Sequence, residues 1–301
     1  MSLTYNQFEI LTYLEKNPQG KVSQRQLSQD LKLSLSTINK TIGELDDLDY
    51  VKYDSSLILT MAGLKALEPY RVRRAIMLAA GFGSRMVPLT LNTPKPMIKV
   101  HGKPMIETLL DACIKAEIQE IIVVIGYLGE QFEILKKKYP NIIFLTNDLY
   151  NETNNISSAL VAKDFFQSAY VMESDLVLYN DSLIRKYEYH SNFLGKYVHR
   201  TDDWCFEVNK KGVITEEKVG GIDCYHMYGI SYFSPEDGLK LATDIPEVYE
   251  SPGGKEKYWE QVPLVYRRKN YEVHIRECHE DDIVEIDTFN ELKQIDHVYD
   301  C

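Results

Sequence analysis

The residues best suited to chemistry lie near residue 80, where two glycines are followed by two cations. An apolar run at residues 74–78 leads into a turn that contains Gly81 and Gly83, and Arg85 and Lys95 follow it. Glycine has no Cβ, so the backbone N–H groups of such a turn can come close to an anion. An arginine can donate two parallel hydrogen bonds to phosphate oxygens, and a lysine offers a compact positive charge. The stretch therefore predicts a site for a nucleoside triphosphate, the alternative being a plain turn with surface cations.

A second group of candidate residues is acidic and follows a later apolar run. Residues 169–172 precede Glu173 and Asp175. Side chains two positions apart on a strand point to the same face, so both carboxylates can face the mouth of a sheet. The alternative is a solvated strand end.

The region that holds both groups alternates strand and helix patterns. Strands are predicted at residues 74–78, 121–126 and 142–146, and helices at residues 104–115 and 130–139. This order predicts an α/β fold with parallel strands and crossover helices, in which ligands bind beyond the carboxyl ends of the strands.

These motifs occur in the order found in one known family. From residue 74 to about residue 297 the chain resembles nucleotidyltransferases of the pyrophosphorylase type, and most closely the bacterial CTP:phosphocholine cytidylyltransferases. The glycine turn, Pro88, Thr90 and the Thr-Pro-Lys-Pro-Met sequence at residues 93–97 carry the resemblance, together with the acidic motifs. It implies a doubly wound, Rossmann-like mixed sheet, one or two Mg²⁺ ions, and transfer of a nucleotidyl group with release of pyrophosphate.

The resemblance also implies which carboxylates hold Mg²⁺. Asp175 matches the aspartate that binds the metal on the triphosphate, and Glu173 stands where close relatives often have another aspartate. The Val-Glu-Ile-Asp-Thr sequence at residues 284–288 matches the late acidic turn of the family, which makes Asp287 the second predicted ligand, with Glu285 as the alternative.

The implied chemistry needs little general base catalysis. A substrate phosphate is already anionic near neutral pH, so the protein has to position it and stabilise the spreading negative charge. Arg85 and Lys95 are the predicted catalytic residues for that task, with Mg²⁺ neutralising the departing pyrophosphate.

The family resemblance also implies which residues line the nucleotide-binding site. The predicted residues are Leu78, Ala79, Ala80, Gly81, Gly83, Ser84, Gly126, Tyr127, Asn154, Asn155 and Ser158. The paired asparagines and Ser158 match the cytidylyltransferase pattern, and the Gly-Thr-Ala sequence usual in sugar-nucleotide relatives is missing there, so CTP is preferred over UTP or dTTP. An asparagine pair can also be a simple helix cap.

Aromatic residues suggest the acceptor. Trp204, Tyr258 and Trp259 fall in segments where the phosphocholine enzymes have their choline pocket, and aromatic faces attract ammonium groups. Glu260 is the predicted countercharge, with Asp202 and Asp203 as alternatives. Phosphocholine, phosphoethanolamine and 2-aminoethylphosphonate all remain open as acceptors. A sugar-1-phosphate nucleotidyltransferase would need a polar sugar pocket instead, and tryptophans are also common in cores.

The first 70 residues differ in character from residues 71–301, the predicted catalytic domain. Three helix patterns, a small β-wing at residues 51–59 and a fourth helix opening at Thr60 resemble a winged helix-turn-helix. Residues 1–70 carry seven Lys or Arg against nine Asp or Glu, and Lys40 is the one cation between Ser34 and Tyr50. Because DNA-binding modules use clustered cations, a protein-contact or dimerisation role is favoured over DNA binding. A transcription regulator whose second domain only senses a ligand is the alternative of another class.

The composition of the chain limits its possible binding partners and cellular location. The formal charge of −11 argues against non-specific binding to nucleic acid or anionic membranes. Five scattered cysteines without Cys-x-x-Cys spacing indicate neither a disulfide framework nor a zinc site. The absence of a signal peptide and of a long apolar run predicts a cytoplasmic protein that does not insert into membranes. The sequence leaves open whether it forms a homo-oligomer.

Overall fold

The computed structural model describes residues 2–18, 22–54 and 56–300. The chain divides into two compact units, residues 1–71 and 72–301. No helix in the described part of the chain is both long and apolar enough to cross a bilayer.

The first unit is a winged helix-turn-helix whose helices begin at capping side chains. Thr4, Ser23, Ser34 and Thr60 each accept a hydrogen bond from a backbone N–H in the first turn of their helix, which satisfies one of its unpaired donors. The elements in order are α1 (Tyr5–Lys16), α2 (Gln24–Asp30), α3 (Leu35–Asp47), β1 (Val51–Asp54), β2 (Ser56–Leu59) and α4 (Met61–Leu67). The strands pair as the antiparallel wing, although residue 55 of the predicted wing lies outside the described residues.

The second unit alternates strands and helices. Its elements in order are β3 (Arg74–Ala79), β4 (Lys99–Val100), β5 (Lys103–Pro104), α5 (Met105–Lys115), β6 (Glu120–Ile125), β7 (Ile142–Thr146), α6 (Ile156–Val161), β8 (Ala169–Glu173), β9 (Leu176–Leu178), β10 (Asn192–Val208), β11 (Ile214–Phe233), α7 (Pro235–Glu250), β12 (His274–Glu277), β13 (Ile283–Glu285) and α8 (Phe289–Ile295).

A seven-stranded mixed sheet organises this unit, in the order β12-β10-β11-β8-β3-β6-β7. Strand β3 is parallel to β6 and β8, and β6 is parallel to β7, whereas β11 runs antiparallel to β8 and β10. The carboxyl ends of β3, β6, β7 and β8 therefore meet at one edge, which is where this fold class binds ligands. The predicted doubly wound mixed sheet is confirmed.

Both faces of the sheet are covered, as the alternation along β3 requires. Ala75 and Met77 pack into one apolar cluster with the buried face of α5, while Ile76 packs into another with Leu241 and Ile245 of α7. Successive side chains of a strand point to opposite faces, so one strand contributes to both clusters.

The helix predicted at residues 130–139 has a different form. The structure has a 3₁₀ helix at Gly129–Lys137. Its two buried side chains, Phe132 and Leu135, are three residues apart, which is one turn of a 3₁₀ helix.

Candidate active site

A cavity of about 610 Å³ lies at the carboxyl edge of the central strands. Residues from the ends of β3, β7 and β8, from β10 and from the segments before α6 and after α7 line it. Its lining includes most of the predicted site: Leu78, Ala79, Ala80, Gly81, Gly83, Ser84, Arg85, Lys95, Asn154, Asn155, Ser158, Asp175, Trp204, Tyr258, Glu260 and Asp287.

The turn after β3 depends on Gly83 more than on Gly81. Gly83 has φ +68°, and a Cβ there would lie 2.9 Å from the Cβ of Lys95. Both the left-handed backbone and the close approach of Lys95 therefore require glycine. Thr90 fixes the turn further, because its hydroxyl donates a hydrogen bond to the Gly83 carbonyl at 3.1 Å. Gly81 has open space where a Cβ would be, so its predicted role does not rest on a steric need.

Two cations and two carboxylates meet beside this turn, and we call this group (Arg85, Lys95, Asp175 and Asp287) the cationic end of the cavity. Lys95 Nζ lies 2.7 Å from Asp175 Oδ2 and 3.0 Å from Asp287 Oδ1, and Arg85 Nη2 lies 2.7 Å from Asp287 Oδ1. Burial alone would lower the pKa of Lys95, but the attraction of Asp175 and Asp287 raises it overall, so the ammonium stays charged.

Strand pairing brings the late acidic turn to this place. β13 pairs with β9 so that Glu285 lies opposite Leu176, and Ile286 N donates to the Asp175 carbonyl at 3.2 Å. Asp287 then precedes the first turn of α8, where Thr288 and Glu291 form a capping box and Glu291 accepts from Asp287 N. The helix cap thus holds the Asp287 backbone next to Lys95.

The carboxylates fit a divalent cation. Glu173, Asp175 and Glu285 each offer an oxygen within 4.8 Å of the others. In the described part of the chain, Asp175 Oδ1 is buried and has no hydrogen-bond partner. Burial, and next the charge of Asp175, raise the pKa of both Glu173 and Glu285 well above the usual range. Carboxylate oxygens are the ligands that Mg²⁺ takes in proteins, and a cation here would offset the surplus negative charge.

The other end of the cavity, which we call the aromatic end, is formed by Trp204, Tyr258 and Glu260. The two rings meet edge to face with centroids 5.6 Å apart. Glu260 is only 4% exposed although it lines the cavity. Burial, and next the charge of Glu217, raise the pKa of Glu260 to about 8, while a hydrogen bond from Asn155 opposes the shift.

The asparagine pair connects α6 to this end and does not act as a simple helix cap. Asn155 stands at the N-cap position of α6 but makes no side-chain capping hydrogen bond. Its Oδ1 instead accepts from Trp259 N at 2.9 Å, and Asn154 Nδ2 donates to the Glu256 carbonyl at 3.1 Å. Both side chains therefore position the segment that carries Tyr258 and Glu260.

Trp259 is not brought to the cavity. Its ring is 3% exposed and packs in the core, with centroid distances of 5.6 Å to Phe166, 6.1 Å to Phe193 and 5.9 Å to Phe233. The residue adjoins Tyr258 in sequence, but its side chain turns to the opposite side of the segment, where it fills apolar space.

Gly126 and Tyr127 also lie outside the cavity lining. The Tyr127 hydroxyl donates to the Thr90 carbonyl at 2.8 Å, and its ring meets Phe82 at 4.6 Å. A Cβ on Gly126 would lie 2.8 Å from the ring of Tyr150, which does line the cavity. These two residues support the wall from behind.

Comparison with known proteins agrees with this geometry. The model of the nucleotidyl transferase family matches residues 74–213, and that of the winged helix-turn-helix DNA-binding family matches residues 3–52. A 2-aminoethylphosphonate cytidylyltransferase of Lancefieldella rimae is 38% identical over 75% of this chain and 92% of its own length. The chain belongs to the nucleotidyl transferase family.

Other relatives lead to the same family. A choline-phosphate cytidylyltransferase of Haemophilus influenzae is 33% identical to this nucleotidyltransferase. The matched region covers 73% of the present chain and 95% of the relative. The solved CTP:phosphocholine cytidylyltransferase from Streptococcus pneumoniae superposes with a TM-score of 0.70 at 29% identity, covering 76% of this chain and 99% of that one. The predicted resemblance is confirmed.

Sequence reasoning missed several residues of the nucleotidyltransferase cavity. Asn147, at 1% exposure, donates from Nδ2 to the hydroxyls of Ser157 and Ser158 at 2.9 and 3.0 Å. It follows β7, so the rule that ligands bind beyond strand ends could have identified it. Tyr150, Thr153 and Met227 line the cavity without any such signal in the sequence.

Proposed function

We propose that this enzyme transfers CMP from CTP to a small phosphate or phosphonate that also carries an amine, with Mg²⁺ and with release of pyrophosphate. One observation carries the proposal: a single cavity joins the cationic end to the aromatic end. The first suits a triphosphate, and the second suits an organic cation. The arrangement is therefore suited to a reaction between a nucleoside triphosphate and an acceptor that carries an organic cation.

The reaction follows from the charges. An oxygen of the acceptor phosphate or phosphonate attacks the α-phosphorus of CTP, an O–P bond forms, and the bond from the α-phosphorus to the bridging oxygen of the β-phosphate breaks. The electron pair leaves with pyrophosphate, and no general base is needed because the nucleophile is already an anion. Lys95, held protonated, and Arg85 stabilise the charge that spreads over the phosphoryl oxygens.

Asp175 and Asp287 are the proposed metal ligands, and Glu285, which groups with Asp175 and Glu173, is the alternative to Asp287. When bound, Mg²⁺ supplies charge neutralisation to the triphosphate and its leaving group. The buried, unpartnered Oδ1 of Asp175 supports this role.

CTP is the proposed nucleotide because Asn154, Asn155 and Ser158 lie in the wall and match the cytidylyltransferase pattern. The names of the relatives from L. rimae and H. influenzae support the same choice. For the acceptor, the Trp204 and Tyr258 rings beside the Glu260 carboxylate favour an amine over a sugar. A sugar-1-phosphate would bring no positive charge to the rings or to the buried Glu260 carboxylate.

The test is pyrophosphate release with CTP and Mg²⁺ across phosphocholine, phosphoethanolamine, 2-aminoethylphosphonate and glucose-1-phosphate. We expect release with at least one amine acceptor, and loss of release when EDTA removes the metal. Release with glucose-1-phosphate alone would contradict the acceptor assignment. If no pyrophosphate is released with any acceptor, whether the nucleotide is CTP, UTP or dTTP, the result would favour a ligand-sensing regulator.

For the first unit we infer a protein contact and not DNA binding. The cation of α3, Lys40, lies 3.8 Å from Glu44 on the same helix, and Asp46 and Asp47 follow. Fluorescence anisotropy with duplex DNA at 50 and 200 mM salt tests this inference. Binding that weakens steeply with salt would contradict it.

We also place the protein in the cytoplasm. The described cysteines, Cys113, Cys205, Cys224 and Cys278, are all free and buried, which fits a reducing compartment, while Cys301 lies outside the described residues. Localisation of a tagged chain by cell fractionation tests this, and recovery from an extracellular fraction would contradict it.

A further inference from the structure

A carboxylate that the proposed reaction does not use lies beside the aromatic end. Glu217 is on β11, opposite Phe206 of β10. Both of its carboxylate oxygens are buried, and neither has a hydrogen-bond partner in the described part of the chain. Burial raises the pKa of Glu217 to about 7. Leaving a buried carboxylate unpaired is costly, so such a group needs an explanation.

Glu217 is a neighbour of Glu260. Its charge is the second largest cause of the raised pKa of Glu260, after burial. Glu260 Oε2 also has no hydrogen-bond partner among the described residues, although the side chain is 4% exposed and lines the cavity beside Trp204 and Tyr258. Glu217 therefore lacks donors on both carboxylate oxygens, and its neighbour Glu260 lacks one on Oε2.

The cations near this end are already engaged. Among the described residues that line the cavity, Arg85 and Lys95 are the cations, and both are bonded to aspartates of the cationic end. Lys218, next to Glu217, forms an ion pair with Glu207. Lys257, next to Tyr258, lies 3.8 Å from the centroid of the Tyr266 ring. A ligand can therefore supply the cation that the cavity lining does not offer to Glu260.

We propose that the aromatic end recognises a primary ammonium and discriminates against a quaternary one, with Glu260 as its hydrogen-bond acceptor and Glu217 as a positioning residue behind it. This proposal rests on the proposed function and narrows the class of acceptor substrate to primary amines. A primary ammonium brings both a positive charge and N–H donors, which can satisfy Glu260 Oε2. A trimethylammonium attracts the Trp204 and Tyr258 rings equally well but has no N–H, so it leaves that oxygen unpaired.

Glu217 contributes charge and not direct contact. It is not part of the cavity lining, and its carboxylate acts on the neighbouring Glu260 through charge. A second carboxylate strengthens the attraction for a compact ammonium held against Glu260.

The experiment is a series of acceptors in which methyl groups replace the N–H donors one by one: 2-aminoethylphosphonate and its N-methyl, N,N-dimethyl and N,N,N-trimethyl derivatives, each with CTP and Mg²⁺. All four carry the same positive charge and the same phosphonate. Because a hydrogen bond to a charged group is lost at the end of the series, we expect kcat/KM to fall roughly tenfold or more from the first member to the last. A flat series, or one that peaks at the trimethyl compound, would overturn the proposal while leaving the proposed function intact.

Glu217→Gln keeps the shape of the side chain and removes its charge. We expect the KM for 2-aminoethylphosphonate to rise about tenfold, equivalent to ~1.4 kcal/mol, with kcat and the KM for CTP unchanged. Glu217→Asp should restore part of the affinity, and Glu216→Gln, at the exposed neighbouring position, is the matched control that should change nothing. Equal changes for CTP and acceptor would assign Glu217 to packing. Absence of turnover with every acceptor by the wild-type enzyme would overturn this proposal together with the proposed function.

Discussion

The two ends of the cavity handle charge in opposite ways. At the cationic end, Lys95 and Arg85 lie within 3.0 Å of Asp175 or Asp287, so opposite charges are matched within the protein itself. At the aromatic end, Glu260 has an unpaired oxygen and Glu217 has two, counting partners in the described residues. The cationic end therefore holds its own countercharges, whereas the carboxylates at the aromatic end have none among the described residues of the cavity lining.

The pKa shifts express the same difference. The raised pKa of Lys95 means that its charged form is stabilised, because neighbouring carboxylates outweigh burial. The raised pKa of Glu260 means the reverse, because burial and a like charge disfavour the carboxylate. Mutations at the cationic end should therefore affect the chemical step, and mutations at the aromatic end should affect acceptor binding.

The largest effect is expected at the cationic end. Asp175→Asn removes a proposed metal ligand and a partner of Lys95, so kcat should fall by about 10²–10³ or more, in line with the loss of a preorganised electrostatic group. Pyrophosphate release measures this, and a melting curve checks that the variant is folded. Asp164→Asn, at an exposed position, is the control. Turnover close to wild type in the folded Asp175 variant would remove Asp175 from the metal site.

A smaller and more selective effect is expected at the aromatic end. Trp204→Ala removes one ring of the pair, and a cation–π contact of about 0.5–2 kcal/mol corresponds to roughly a 2- to 30-fold rise in the acceptor KM. Steady-state kinetics should show little change in the KM for CTP. Trp204→Phe keeps an aromatic face and should recover part of the affinity. Similar rises for both substrates would mean that Trp204 has a packing role.

The smallest effect concerns stability. The folded-state pKa of Glu217 is about 7 against an ordinary value of 4.5, so folding binds a proton between these values. This contribution to stability is complete below pH 4.5 and is lost as the pH rises through 7. Glu217→Gln should therefore melt close to wild type at pH 5 and a few degrees higher at pH 8.5, with an upper limit of ~3 kcal/mol.

Thermal melting at the two pH values, without ligand, measures the difference. Glu216→Gln should show no pH-dependent gap. A gap that is equal at both pH values, or that closes as the pH rises, would mean that the Glu217 carboxylate is not destabilised in the folded protein.

The cationic end could be predicted well from the sequence, because its residues are carried by local motifs. Gly83, Arg85 and Lys95 follow one strand within a short stretch, and Asp175 follows another, so the rule that ligands bind at strand ends indicated them. Asp287 was predicted only from the family resemblance. The structure added the reason for Gly83, which is its left-handed φ beside Lys95.

The aromatic end could be predicted only in part, because it depends on side-chain direction and register. Tyr258 and Trp259 are adjacent, and nothing in the sequence says that the second turns into the core. No sequence motif marked Glu217 as a site residue. Its position follows from the register that pairs it with Phe206 of β10, and a bulged antiparallel register cannot be read from composition. The 3₁₀ form of Gly129–Lys137 could not be predicted either, because buried side chains three residues apart fit an α-helix and a 3₁₀ helix alike.

Phosphorus NMR of the complete reaction tests the central claim most directly. The enzyme is incubated with CTP and Mg²⁺, and with 2-aminoethylphosphonate or phosphocholine in separate samples. We predict that CTP is consumed, that pyrophosphate appears, and that with at least one acceptor a new pair of coupled signals shows the acceptor phosphorus joined to the α-phosphorus of CMP. Unchanged acceptor signals in both samples, with CTP intact or merely hydrolysed, would contradict the account.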